Sequence, residues 1–131
     1  MQAYLAIQYR GINGDDATED EIERNIIEAK AVAQSIREHI EGWTLILPHT
    51  DPRLEMFNDH YERHLVSIDP VLSACCELVV ECQAMIQVAP VTEGMKVEAI
   101  TAIHKGIPIL TIDWGDPERF EKIAKFLHEI R

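Results

Sequence analysis

The sequence is poor in cations. Twelve lysines and arginines stand against 23 aspartates and glutamates, which gives a formal net charge of −11. A field of that sign repels the phosphates of nucleic acids and the headgroups of anionic membranes, so we expect neither as a partner. One small anion, held by a single arginine and a helix N-terminus, remains compatible with this charge.

Long apolar runs are also missing, and none approaches the roughly 20 residues that span a bilayer. The N-terminus shows no basic segment followed by an apolar one, so the sequence predicts no signal peptide and a cytoplasmic protein. The three cysteines form no CxxC motif, and their odd number leaves one over: Cys75, Cys76 and Cys82. Reduced thiols in a helix are therefore favoured over a disulfide or a metal site.

Known nucleotide-binding motifs are absent too. The chain contains neither GxGxxG nor the lysine pattern of a P-loop, which excludes dinucleotide binding through those motifs. We predict no cofactor.

What is present is a regular alternation of short apolar runs and helical periodicities over 131 residues, enough for one domain spanning 1–131. The pattern predicts strands at 3–7, 43–47, 83–89 and 107–112, and helices at 18–41, 69–81, 92–106 and 117–130. Such alternation is typical of a parallel sheet with helices on both faces. We predict an α/β fold of the flavodoxin- or Rossmann-like three-layer type, with four or five strands and the order 2-1-3-4. The segment 53–65 is interpreted as loop and short helix.

Capping signals support these boundaries. Thr18 and Glu21 form a capping box, Thr92 is a good N-cap, and Asp69 and Asp116 each precede a proline suited to a first helical turn. Gly42 and Gly106 are placed to end the first and third helices.

The turn after the third strand is the most informative stretch. In the predicted order, the carboxyl ends of strands one and three meet at a crevice of the kind where α/β proteins bind ligands. Glu98 lies on the helix that follows, between Gly94 and Ala102 at helical spacing, so small neighbours leave room near its carboxylate. It is a candidate nucleophile toward a sugar carbon, or a general base. The alternative is a solvated helix residue that pairs with Lys105 or Arg10.

Other polar groups reach the same crevice. Tyr9, Arg10 and Gly11 follow the first strand and offer a phenol and a guanidinium, although Arg10 is equally compatible with an ordinary surface position. Thr92, Glu93 and Gly94 open the third helix with free N–H groups that suit an anion, or form a simple capped turn.

The histidine pair His60 and His64 has the spacing of metal ligands on one helix face, with His49 and Asp51 not far away in sequence. The glutamate position does not match HExxH. We favour surface histidines and predict no metal.

Several blocks together resemble the nucleoside 2-deoxyribosyltransferase-like superfamily, in particular a small branch with Tyr-Arg-Gly after the first strand. The blocks are 4–11, Asn25 and Ala29, 47–49, 92–98 and 106–109. The resemblance implies that Glu98 attacks the anomeric carbon of a deoxyribosyl group, that Tyr9 orients it, and that Asp59 or Asp69 protonates the leaving base. It also implies a small-molecule nucleoside or nucleotide ligand and a homo-oligomer.

The predicted ligand-binding set combines the crevice and the resemblance: Gln8, Arg10, Gly11, His49, Asn58, Thr92, Glu93, Gly94 and Met95. Two features depart from the family pattern, namely Gln8 where a proline is common and the apolar 89–91 where polar residues are usual. The alternative hypothesis is therefore a nucleotide-binding or sensing module without turnover.

Overall fold

The computed structural model describes residues 1–8, 18–51 and 68–130, with residues 68–71 described by their backbone alone. Its elements in chain order are β1 (Gln2–Ala6), α1 (Glu19–Arg37), β2 (Thr44–Ile46), a 3-10 turn (Pro48–Thr50), α2 (Ile68–Val80), β3 (Ala84–Val88), α3 (Glu93–His104), β4 (Ile109–Ile112) and α4 (Arg119–Glu129). The four strands form one parallel sheet in the order β2-β1-β3-β4. The predicted fold class and strand order are confirmed.

The two faces of the sheet carry different cores, because side chains alternate along each strand. Ala3, Leu5 and Ile7 pack with α1 and α4 in an aliphatic cluster. Tyr4 and Ala6 point the other way, toward α2 and α3. The result is the three-layer arrangement, with α1 and α4 on one side and α2 and α3 on the other.

The predicted caps account for two helix starts. The Thr18 hydroxyl accepts a hydrogen bond from the Glu21 N–H at 3.1 Å, and the Thr92 hydroxyl accepts one from Met95 at 3.3 Å. Gly106 ends the third helix with φ of 69°, a left-handed conformation that suits glycine.

Several boundaries differ from the prediction, among them the start of β4 at Ile109 rather than residue 107 and three helix ends. Helix α1 ends at Arg37 rather than near residue 41, because the chain tightens there and the His39 N–H bonds the Ile36 carbonyl. Helix α2 begins at Ile68, so Asp69 lies in its first turn rather than at the cap. Helix α4 begins at Arg119, and Asp116 instead accepts from the Glu118 N–H in the turn ahead of it.

Among the helices within the described ranges, none combines the length and the apolar character needed to cross a bilayer.

Candidate active site

Glu98 is the most buried carboxylate of the described chain. It lies on α3 in the same stripe as Met95 and Ala102, which face the sheet, and its side chain is only 6% exposed. A helix residue exposed to solvent would not occupy this stripe. The alternative interpretation of Glu98 as a solvated surface residue is therefore wrong.

The partner of Glu98 comes from the central strand. Tyr4 on β1 is fully buried, and its hydroxyl donates a hydrogen bond to the Glu98 carboxyl across 94 residues of sequence. Burial, together with the nearby carboxylate, raises the pKa of the Tyr4 phenol well above its usual value, so the hydroxyl remains a donor at any physiological pH. Sequence reasoning placed Tyr4 in the strand core but gave it no role.

A thiol completes this cluster. Cys75 on α2 is buried beside Tyr4 and Glu98, and burial raises its pKa to about 12, with the Glu98 charge adding to the shift. The thiol therefore stays protonated and adds no second negative charge beside the carboxylate.

The surroundings of Glu98 tune its ionisation to neutral pH. Removal from water raises the carboxyl pKa to about 7, while the hydrogen bond from Tyr4 opposes that rise by favouring the ionised form. A carboxyl that titrates near pH 7 can act as a nucleophile or exchange a proton under cellular conditions. Perturbed groups of this kind are a physical sign of a functional site.

The first turn of α3, where the sequence predicts ligand-binding residues, packs against α2 and the core. A Cβ on Gly94 would lie 3.3 Å from Cδ2 of Leu72, so the glycine allows α3 to approach α2 closely. Met95 is buried in the core, and Glu93 is exposed and pairs with Lys96 at 3.0 Å. Glu93 and Glu98 therefore have opposite surroundings on the same helix.

A second polar group lies at the carboxyl ends of β1 and β2. The Nε2 of His49 lies 3.1 Å from the backbone carbonyl of Gln8, and the Gln8 amide bonds Asn25 of α1 at 3.3 Å. Burial lowers the pKa of His49 to about 4, so the ring is neutral and Nε2–H donates to the carbonyl. The structure thus brings Gln8 and His49 together, but on the side of α1 rather than with Tyr4 and Glu98.

The remaining predicted site residues lie outside the described residues: Tyr9, Arg10, Gly11, Asn58 and Asp59, together with the histidine pair His60 and His64. Asp69 is described by its backbone alone, in the first turn of α2. The assignment of Tyr9 as the orienting residue therefore stays a prediction. In the described structure the phenol that contacts Glu98 belongs to Tyr4.

Comparison with protein-family models, curated proteins and solved structures found no match to this chain. The resemblance to the nucleoside 2-deoxyribosyltransferase-like superfamily therefore stays a prediction that depends on the residues quoted for it.

Proposed function

We propose that the protein cleaves or transfers an N-glycosidic bond of a nucleoside or nucleotide, with Glu98 as the nucleophile. The observation that carries the proposal is the buried carboxyl of Glu98, hydrogen-bonded by Tyr4 and titrating near pH 7. Such a group is ionised often enough to attack, and it is held by a neutral donor that fixes its orientation.

The chemistry balances as a double displacement. A Glu98 carboxylate oxygen bonds the anomeric carbon as the bond from that carbon to the base nitrogen breaks. The electron pair of that bond goes to the nitrogen, which takes a proton from an acid; Asp59 and Asp69 are the proposed candidates. Water or a second base then attacks the same carbon, its proton passes to the acid that was ionised in the first step, and the electron pair of the breaking bond returns to the Glu98 carboxylate.

Tyr4 would act on this reaction through the carboxylate. The Tyr4 hydroxyl donates a hydrogen bond to one oxygen of the Glu98 carboxyl, and this bond stabilises the ionised carboxylate. Tyr4 is thus a positioning residue, whose hydroxyl lowers the pKa of Glu98 against the effect of burial.

The test is to incubate the protein with deoxynucleosides and their monophosphates and to measure freed base by chromatography. We expect release by the wild type, none above background by Glu98→Gln, and near wild-type release by Glu121→Gln, a control at an exposed glutamate of α4 on the other side of the sheet. If the wild type frees no base, or Glu98→Gln frees it equally fast, the enzyme proposal is wrong.

The second candidate is a nucleotide-binding module without turnover. It is favoured by the turn after β3, where the exposed Ala89 and Pro90 and the partly buried Val91 offer no side-chain hydrogen-bonding group. This candidate predicts that nucleotides raise the melting temperature of the wild type while no base is released.

A homo-oligomer is part of the proposal, and an apolar stripe on α3 supports it. Val97, Ile100 and Ile103 are 42%, 54% and 67% exposed and succeed one another at helical spacing, so they form one continuous strip. We propose that a second copy of the chain covers this strip.

Substitution in the strip should therefore dissociate the oligomer. We expect sedimentation velocity to show a species heavier than the 14.9 kDa chain for the wild type and a shift toward monomer for Ile100→Arg. Ile27→Arg is the control, because Ile27 is 60% exposed on α1, away from the strip. A monomeric wild type at tens of micromolar, or equal dissociation by both variants, would contradict this assignment.

A further inference from the structure

Gln87 holds a buried polar atom that has no hydrogen-bond donor among the described residues. Its side chain is 7% exposed on β3, and its Nε2 donates to the Thr111 hydroxyl at 3.2 Å. Its Oε1 is buried and meets no hydrogen-bond donor within the part of the chain that the structure describes. An unsatisfied buried acceptor lowers the free energy of unfolding. A buried amide at this position is therefore explained if a ligand supplies the missing donor.

The position of Gln87 relates it to Glu98. Gln87 pairs with Ala6 in the sheet register, and Met85 pairs with Tyr4, so Gln87 lies two residues from the Tyr4 row toward the carboxyl ends. Two residues of a strand span about 7 Å. Side chains two apart share a face, so Gln87 lies on the side of the sheet that carries Tyr4 and Glu98.

The row of paired residues that contains Gln87 ends at an exposed position on the edge strand β4. Gln87 pairs with Thr111 on β4, and Thr111 is exposed whereas Ala6 and Gln87 are buried. The amide therefore lies at the border between the core and open water, at the end of the sheet where α/β proteins receive ligands.

We propose that Gln87 is a specificity-determining residue whose Oε1 accepts a hydrogen bond from a hydroxyl of the ligand's sugar. This inference rests on the proposed function, in which Glu98 meets the anomeric carbon. The sugar hydroxyls lie a few ångströms from that carbon and can donate to Oε1, whereas the base atoms nearest to it, purine N3 and pyrimidine O2, are acceptors. An ionised phosphate has no donor for a carbonyl oxygen, so this oxygen selects a sugar hydroxyl and not a phosphate.

The test combines a variant with ligand analogues. Gln87→Met has a similar size and no hydrogen-bonding group, and we expect it to melt at a higher temperature than the wild type. Calorimetric titration with the best-bound 2′-deoxynucleoside should show about tenfold weaker binding by the variant, since a lost hydrogen bond is of this order.

Analogues that lack the 3′- or the 5′-hydroxyl identify the group. One of them should bind the wild type about tenfold more weakly, and Gln87→Met should no longer distinguish that analogue from its parent. The inference fails if the wild type binds parent and analogues equally, or if Gln87→Met distinguishes them as the wild type does.

The wild-type arm separates the two proposals. If the wild type binds a nucleoside or releases base, and Gln87→Met does so equally well, the role of Gln87 is overturned and the proposed function stays in place. A wild type that neither binds nor cleaves any nucleoside overturns the proposed function and this inference with it. Should Gln87→Met fail to fold, Gln87→Leu, which also lacks the amide, takes its place in the comparison, and equal binding of parent and analogues by the wild type still overturns the inference.

Discussion

Glu98→Gln is expected to be more stable than the wild type by about 3 kcal/mol at pH 8 and of nearly equal stability at pH 4. In the folded protein the pKa of Glu98 is raised from 4.5 to about 7, mainly by burial. Below pH 4.5 both the folded and the unfolded chain hold the proton. Between pH 4.5 and 7 the unfolded chain loses it first, so the contribution of Glu98 to stability falls as pH rises, by about 1.4 kcal/mol per unit.

The glutamine removes this slope because it is neutral and of equal size, and its oxygen still accepts from Tyr4. Urea unfolding monitored by tryptophan fluorescence between pH 4 and 8.5 measures the difference. Glu93→Gln, which lies at the exposed ion pair with Lys96, should stay within about 0.5 kcal/mol of the wild type throughout. A less stable Glu98→Gln at pH 8 would contradict the burial argument.

The contribution of His49 to stability should change with pH in the opposite direction. Its pKa is lowered in the folded state from 6.5 to about 4, mainly by burial, so its contribution to stability is present above pH 6.5 and is lost as pH falls toward 4. The two windows overlap, and the wild type should therefore vary little between pH 4.5 and 6.5. The Glu98→Gln variant should show the His49 slope alone, with stability rising with pH.

Base release should rise about 100-fold between pH 5 and pH 8 and then level off. A nucleophilic carboxylate must be ionised, and with a pKa of about 7 only about one Glu98 in a hundred is ionised at pH 5. The second-order rate constant kcat/KM, measured across this range, reports the ionisation in the free enzyme. A profile already level at pH 5 would show that the carboxyl titrates at its ordinary value.

Tyr4→Phe tests whether the Tyr4 hydroxyl sets the ionisation of Glu98. Its hydroxyl lowers the pKa of Glu98, so its removal should shift the midpoint of the profile above pH 7 and reduce release at neutral pH. Cys75→Ala is the matched control, because Cys75 is buried beside the pair while the pKa of Glu98 is set by burial and by the hydrogen bond from Tyr4. An unshifted midpoint in Tyr4→Phe would exclude Tyr4 as the positioning residue.

The positions of the strands followed from the sequence because their evidence is local, and the strand order was then inferred from the general preference for right-handed crossovers. Short apolar runs bounded by turn residues predict strands, and Thr18 and Thr92 mark helix starts through side chains that act within three residues. The later start of α4 was not predicted, because Asp116 is a good cap residue that bonds the backbone of a turn equally well.

The Tyr4–Glu98 pair could not be predicted in the same way, because it joins two elements 94 residues apart. Nothing local indicates which strand a helix side chain meets. One signal was present and unused: Met95, Glu98 and Ala102 fall on one stripe of α3, so the carboxylate occupies a core position by periodicity alone. The other missed residue, Gln87, stands in an otherwise apolar strand, where a single polar side chain draws attention only once its burial is known.

The Tyr4–Glu98 hydrogen bond also bears on how β1 finds its alignment during folding. A slip of one position would turn Leu5 or Ala3 toward Glu98 and direct the phenol into the aliphatic cluster against α1. Each misaligned state would then leave two polar groups buried without partners. The pair therefore acts as a check on strand alignment, which a purely aliphatic β1 would lack.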